Sequence, residues 1–123
     1  YTPIISTVGL DSKYNAFNIN ADDVATGVAR ALKASKLVFL TDIEGVLRNP
    51  SDPSTRISVI NTESAAELFE QGIITGGMIP KLKNCLEAVQ EDVKKVHILD
   101  GRLEHSLLIE IFTTSGVGTE IKK

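Results

Sequence analysis

Lys36-Leu37-Val38-Phe39-Leu40-Thr41-Asp42 sets four apolar residues between a lysine and a polar exit. The run is too short for an ordinary helix and lacks the alternation of a half-solvated strand, so it reads as a buried strand whose ligand-facing end is Thr41-Asp42. Upstream, Val24, Ala25, Val28, Ala29 and Leu32 recur at helical spacing, which predicts a helix from Asp22 to about Ser35 with Asn20 as N-cap. Before it, Ile4-Ile5 and Phe17-Asn18-Ile19 read as extended segments around a Gly9-Leu10-Asp11-Ser12 turn, an opening hairpin or a pair of neighbouring edges.

Downstream, Arg48 to Thr55 is rich in proline, serine and asparagine and reads as a surface excursion before the strand Ile57-Ser58-Val59-Ile60. Thr62 is placed to cap a helix that turns Ala65, Leu68 and Phe69 inward and stops at Gly72. Gly76-Gly77 then opens another, with Leu82, Cys85, Leu86 and Val89 on one side. Val96 to Leu99 reads as a strand, Ser106 to Phe112 as a short helix and Gly118 to Ile121 as a closing strand. Strands alternating with helices predict an α/β fold, a three-layer αβα sandwich with a mainly parallel central sheet. In such sheets ligands collect beyond the carboxyl ends of strands, which directs attention to Asn18, Thr41-Asp42 and Asp100-Gly101.

With 123 residues and 42% of them hydrophobic, the chain has material for one core and one domain. Thirteen basic against 16 acidic side chains leave no positive excess for a nucleic-acid surface. No stretch approaches the ~18 apolar residues of a membrane span, and no secretory leader is evident, so neither membrane nor secretion is expected. Cys85 is the only cysteine; it excludes an internal disulfide, fits a reducing cytoplasm, and is expected to serve packing.

The segment most suggestive of chemistry is Gly72-Ile73-Ile74-Thr75-Gly76-Gly77-Met78-Ile79-Pro80-Lys81. Open amides at a helix start attract phosphate, glycines permit close backbone approach, and Lys81 one turn later adds a full charge. The same spacing is compatible with a tight turn and a solvated lysine. Asn18-Ile19-Asn20-Ala21-Asp22-Asp23 puts amides and carboxylates at a helix entry, where helix-dipole complementation alone explains Asp22; Asp22 could also orient a lysine, with Asn18 holding a polar substrate group. Thr41-Asp42-Ile43-Glu44-Gly45-Val46-Leu47 serves equally as an ordinary strand exit or as a turn closing on a ligand. His97 and His105 lack metal-ligand spacing, and no protein-held metal is expected.

Taken in order, Asn18 to Asp22, Leu40 to Leu47, Gly72 to Lys81 and His97-Ile98-Leu99-Asp100-Gly101-Arg102 resemble the acetylglutamate kinases, members of the amino-acid kinase fold. The resemblance covers the chain from about Tyr1 to Ile121 and aligns it with the C-terminal, ATP-binding domain of such enzymes. It implies ATP-dependent phosphorylation of the side-chain carboxylate of N-acetyl-L-glutamate to an acyl phosphate, a step of arginine biosynthesis, with Mg2+ held mainly by the nucleotide phosphates. Lys81 would match the transition-state lysine, Asp22 the carboxylate that orients catalytic lysines, and Asn18 the substrate-binding amide. Thr41, Asp42, Gly45, Val46 and Leu47, with Ile73, Gly76, Gly77, Met78, Ile79 and Lys81, would match the nucleotide-binding segments.

No general base is needed, because the acceptor carboxylate is already ionised at neutral pH. The family's N-terminal Gly-rich loop with its lysine, and its first-half arginine, have no counterpart in this sequence, so turnover by these 123 residues alone is expected to be weak or absent. His97, Glu110 and Gly116 match positions lining the L-arginine effector site of feedback-inhibited members, where Glu110 would pair with a guanidinium; a solvated Glu110 is the alternative. The full-length enzyme is expected to be a homo-oligomer. Glutamate 5-kinase, aspartokinase and uridylate kinase share the nucleotide half and compete with this assignment, as does a non-catalytic arginine-sensing module.

Overall fold

A computed structural model describes residues 1–123. The chain opens with an antiparallel hairpin, β1 (Val8–Leu10) and β2 (Ala16–Asn18), separate from the main sheet. The turn lies later than glycine suggested: Gly9 and Leu10 pair with Phe17 and Ala16, and Ile4-Ile5 precede the strand. The reversal is made by the Asp11 carboxylate, which accepts the Lys13 and Asn15 amides at 2.8 and 2.9 Å.

Helix α1 (Ala21–Ala31) starts under the Asn20 side chain, which accepts the Asp22 amide at 2.8 Å. It ends short of Ser35 because Lys33 turns left-handed (φ 48°) and the Ala34 amide reaches back to the Ala29 carbonyl. The main sheet contains β3 (Lys36–Thr41), β4 (Val59–Ile60), β5 (Lys95–Asp100) and β6 (Thr119–Ile121) in the order β3-β5-β6-β4. The pairs β3/β5 and β4/β6 are parallel, while β6 runs antiparallel to β5. The sheet is thus mixed, parallel in two of its three pairings.

Alternation along the strands separates two faces. Phe39, Ile60, Val96, Ile98 and Ile121 join one core with residues of α1, α2 (Thr62–Glu70) and α3 (Met78–Gln90), including the fully buried Leu82, Cys85, Ala88 and Val89. Burying side chains such as Leu82 and Val89 stabilises the fold by roughly 1.5–3 kcal/mol each. Asn61, not Thr62, caps α2, in a reciprocal box with Ser64. The opposite face carries α4 (Ser106–Phe112), which packs over β5 at His97. Helix, sheet and helix therefore form three layers, as expected.

Candidate functional site

Beyond the carboxyl end of β3 lies a cavity of about 430 Å3 lined by Asp42, Ile43, Gly45 to Leu47 and Pro50 and by Ile73 to Thr75, Gly77, Met78 and Lys81. Two segments well separated in the sequence thus build one site. The Arg48–Thr55 excursion beside it is held closed by the Leu47/Arg56 bridge and by the Arg48 amide on the Thr55 carbonyl.

Helix α3 has Gly77 at its N-cap and no side-chain cap; the Met78 and Ile79 amides turn back to the Thr75 and Gly76 carbonyls, while those of Ile74, Thr75, Gly76 and Gly77 make no internal hydrogen bond. Three of these free amides, on Ile74, Thr75 and Gly77, belong to residues that line the cavity beside the start of the helix, a setting suited to an anion. One turn in, Lys81 Nζ donates to Asp22 Oδ2 at 2.5 Å and stands 5.2 Å from the centre of the Phe39 ring. Its ammonium has three donors, and Asp22 takes one. The pair is partly exposed, with side chains 19% and 31% accessible, so a ligand can reach the lysine.

Asp22 is carried to Lys81 by the seam between α1 and α3. Along it Asn84 donates to Asp23 at 2.7 Å, and Arg30 bridges Glu87 and Glu91. Thr41, Gly76 and Ile79 belong to the same segments but do not line the cavity. The Thr41 hydroxyl is engaged locally with the amide and carbonyl of Ile43, both at 3.1 Å. Asn18 lies apart, in a shallow depression with Gly9, Asp11, Phe17, Ile19 and Asn20.

Gly45 adopts φ +119°, a conformation that strains any L side chain, and a Cβ there would fall 2.6 Å from Thr119 Oγ1. Thr119 is fully buried; its hydroxyl accepts the Val46 amide at 2.8 Å and donates to the Ile57 carbonyl at 2.7 Å. Sequence reading missed Thr119, and Arg56, whose guanidinium donates to the Val117 carbonyl at 2.8 Å.

His97, Glu110 and Gly116 do come together, but on the opposite face. Both side chains are sealed, 4% and 7% accessible, and His97 Nδ1 lies 2.7 Å from Glu110 Oε1. Glu110 Oε2 accepts the amides of Val117 at 2.7 Å and Gly118 at 3.2 Å. Burial works against the charged form, yet these amides and His97 outweigh it and hold the Glu110 carboxyl below its ordinary range. A Cβ on Gly116 would fall 2.6 Å from the same carboxylate.

Cys85, between Lys81 and the core, has its thiol pushed up to about 12 by burial, as befits packing. No three histidine, cysteine or acidic side chains converge as a metal nest would require, and no helix is long and apolar enough to cross a membrane.

Residues 1–100 match the amino acid kinase family. The whole chain is 50% identical over 123 residues to the acetylglutamate kinase of Methanosphaera stadtmanae, covering 41% of that protein. It is 54% identical over 121 residues, 98% of its length, to that of Persephonella marina, covering 40% of it. The chain therefore spans about two-fifths of the length of these curated relatives. Among solved structures, N-acetylglutamate synthase from Neisseria gonorrhoeae, complexed with coenzyme A and L-arginine, superposes with a TM-score of 0.87 at 31% identity over 97% of this chain and 27% of that one. Sequence match and shared fold agree: the chain belongs to the amino acid kinase family.

Proposed function

We propose that these residues form the nucleotide-binding part of an acetylglutamate kinase, which transfers the γ-phosphoryl group of ATP to the side-chain carboxylate of N-acetyl-L-glutamate. The observation that carries this reading is Lys81, held by Asp22 at the edge of a cavity whose lining residues Ile74, Thr75 and Gly77 have free amides. A carboxylate oxygen attacks the γ-phosphorus, the bond to the ADP oxygen breaks, and an acyl phosphate and ADP result. No proton has to be removed, so the chemistry asks for alignment and neutralisation of charge.

Lys81 stabilises charge on the transferring group and Asp22 keeps its ammonium in place. The Asp42–Leu47 and Ile73–Lys81 segments take the nucleotide, its phosphates toward α3, and Mg2+ arrives on those phosphates. Asn18, on the hairpin, would bind acetylglutamate in a part of the site completed by sequence outside these residues. The amide-rich, lysine-bearing wall fits a polyphosphate better than a hydrocarbon ligand.

A second binding function is favoured by the gonococcal neighbour, whose structure contains L-arginine. In this chain an arginine site at His97, Glu110 and Gly116 would require the effector guanidinium to share Glu110 with His97 and two backbone amides. A cytoplasmic homo-oligomer accords with both readings.

The test is ligand-dependent thermal stabilisation, since a ligand that binds only the folded state raises the melting temperature. Mg-ATP should raise it, and Lys81→Ala should remove most of that rise while leaving the ligand-free value nearly unchanged. No rise with Mg-ATP, together with a rise with arginine, would replace the kinase reading by the sensing one.

A further inference from the structure

We infer that Thr119 is a positioning residue for the nucleotide loop, fixing the Gly45-Val46 backbone through its hydroxyl without touching the ligand; the inference rests on the nucleotide-binding reading above. The wall formed by Asp42 to Leu47 contains no regular secondary structure before the Leu47/Arg56 bridge. Within it, the Glu44 and Gly45 amides make no internal hydrogen bond. What holds its inner side is Thr119 Oγ1, which accepts a hydrogen bond from the Val46 amide and donates one to the Ile57 carbonyl. Ile57 in turn donates its amide to the Val46 carbonyl at 2.8 Å. One buried hydroxyl thus closes a ring through Val46, Ile57 and Thr119.

Thr119 can serve as an anchor because its own strand is gripped from both sides. Glu110 holds the amides of Val117 and Gly118, Arg56 holds the Val117 carbonyl, and Thr119 faces Ile98 in the β5/β6 pairing. The anchor also explains the glycine facing it: with φ +119° and a Cβ position 2.6 Å from the hydroxyl, position 45 accepts no side chain while Thr119 keeps this geometry. Remove the hydroxyl and Val46 N–H and Ile57 C=O are both left buried without a partner; the least costly relief is for the loop to move outward, opening the cavity wall.

The experiment separates packing from positioning with two substitutions in the whole chain. Thr119→Val keeps the shape and loses the hydroxyl; Thr119→Ser keeps the hydroxyl and loses a methyl group. Mg-ATP affinity is measured by titration, and exchange of the Val46 amide is followed without ligand. Thr119→Val should weaken Mg-ATP by about tenfold, the equivalent of one buried hydrogen bond, and accelerate Val46 exchange. Thr119→Ser should bind within about twofold of the parent even though the lost methyl lowers its melting temperature. Affinity that follows stability, with serine as damaging as valine, would overturn the inference, as would parental affinity and exchange in the valine variant. If valine does not fold, Thr119→Cys, close in shape to serine but with only a weak donor and acceptor, takes its place and should lose affinity that serine keeps; equal affinity in the two would overturn the inference. Failure of the parent chain to bind Mg-ATP would overturn the nucleotide reading and this inference with it, whereas a parent that binds and depends on Lys81 while ignoring Thr119 overturns the inference alone.

Discussion

Two of the molecule's acid–base pairs, Lys81 with Asp22 and His97 with Glu110, are built in opposite ways. Lys81 and Asp22 meet at a cavity mouth, partly open to solvent, with ammonium donors left over. His97 and Glu110 are sealed beneath α4, where histidine and two amides engage both carboxylate oxygens. A pair with unused valence next to a cavity is suited to a ligand. A pair whose acceptors are consumed internally is suited to holding a turn, here the residues that lead into β6.

Substitution can break this contrast. Asp22→Asn should have the largest effect, lowering phosphoryl transfer by the complete enzyme about a hundredfold, because Lys81 loses the partner that aims it. Its cost in stability should stay near 1 kcal/mol, as for other partly exposed pairs. Glu110→Gln should do the reverse, destabilising the fold by about 2 kcal/mol in denaturant titration, since an amide cannot replace an ionised acceptor serving three donors. Its loss of stability should exceed any loss in nucleotide affinity; equal losses in the two variants would mean the pairs do not differ as their surroundings indicate.

The smallest effect is a dependence on acid. The Glu110 carboxyl is held below its ordinary value of 4.5 in the fold, so the unfolded chain takes up the proton first as pH falls. The stability this carboxylate contributes is complete above that ordinary value and is lost as pH drops through the folded one. Melting temperatures measured downward from pH 6 should fall less steeply below about pH 4.5 in Glu110→Gln than in the parent. Parallel curves would show that the buried carboxylate gains nothing from its amides.

Much of this was legible locally. The run Leu37 to Leu40 announced its strand, Ser106 to Phe112 its helix, and the glycine pair before Lys81 a helix start with open amides. Periodicity reveals which face of an element is apolar, but not which element it will adjoin, so the antiparallel entry of β6 between β5 and β4 was not readable. The hairpin turn was misplaced because glycine drew attention from the Asp11 side chain, which shapes it. Lys81 was recognisable from neighbours in sequence; Thr119 was not, because the amide it receives is 73 residues away.

That distance bears on how the molecule acquires its shape. Neither β4 nor β5 touches the other as a partner; β6 lies between them, and its pairings reach back to Val59-Ile60 and to Val96 through Ile98. Pairing β6 with β4 incurs the entropy of closing a long loop, as does pairing β3 with β5, whereas β5 and β6 are much nearer in sequence. The cavity wall at Gly45 and Val46, tied to β6 through the Thr119 hydroxyl, becomes ordered only once that strand is in place, so a state lacking β6 would carry Lys81 beside Asp22 with one side of the cavity unsupported.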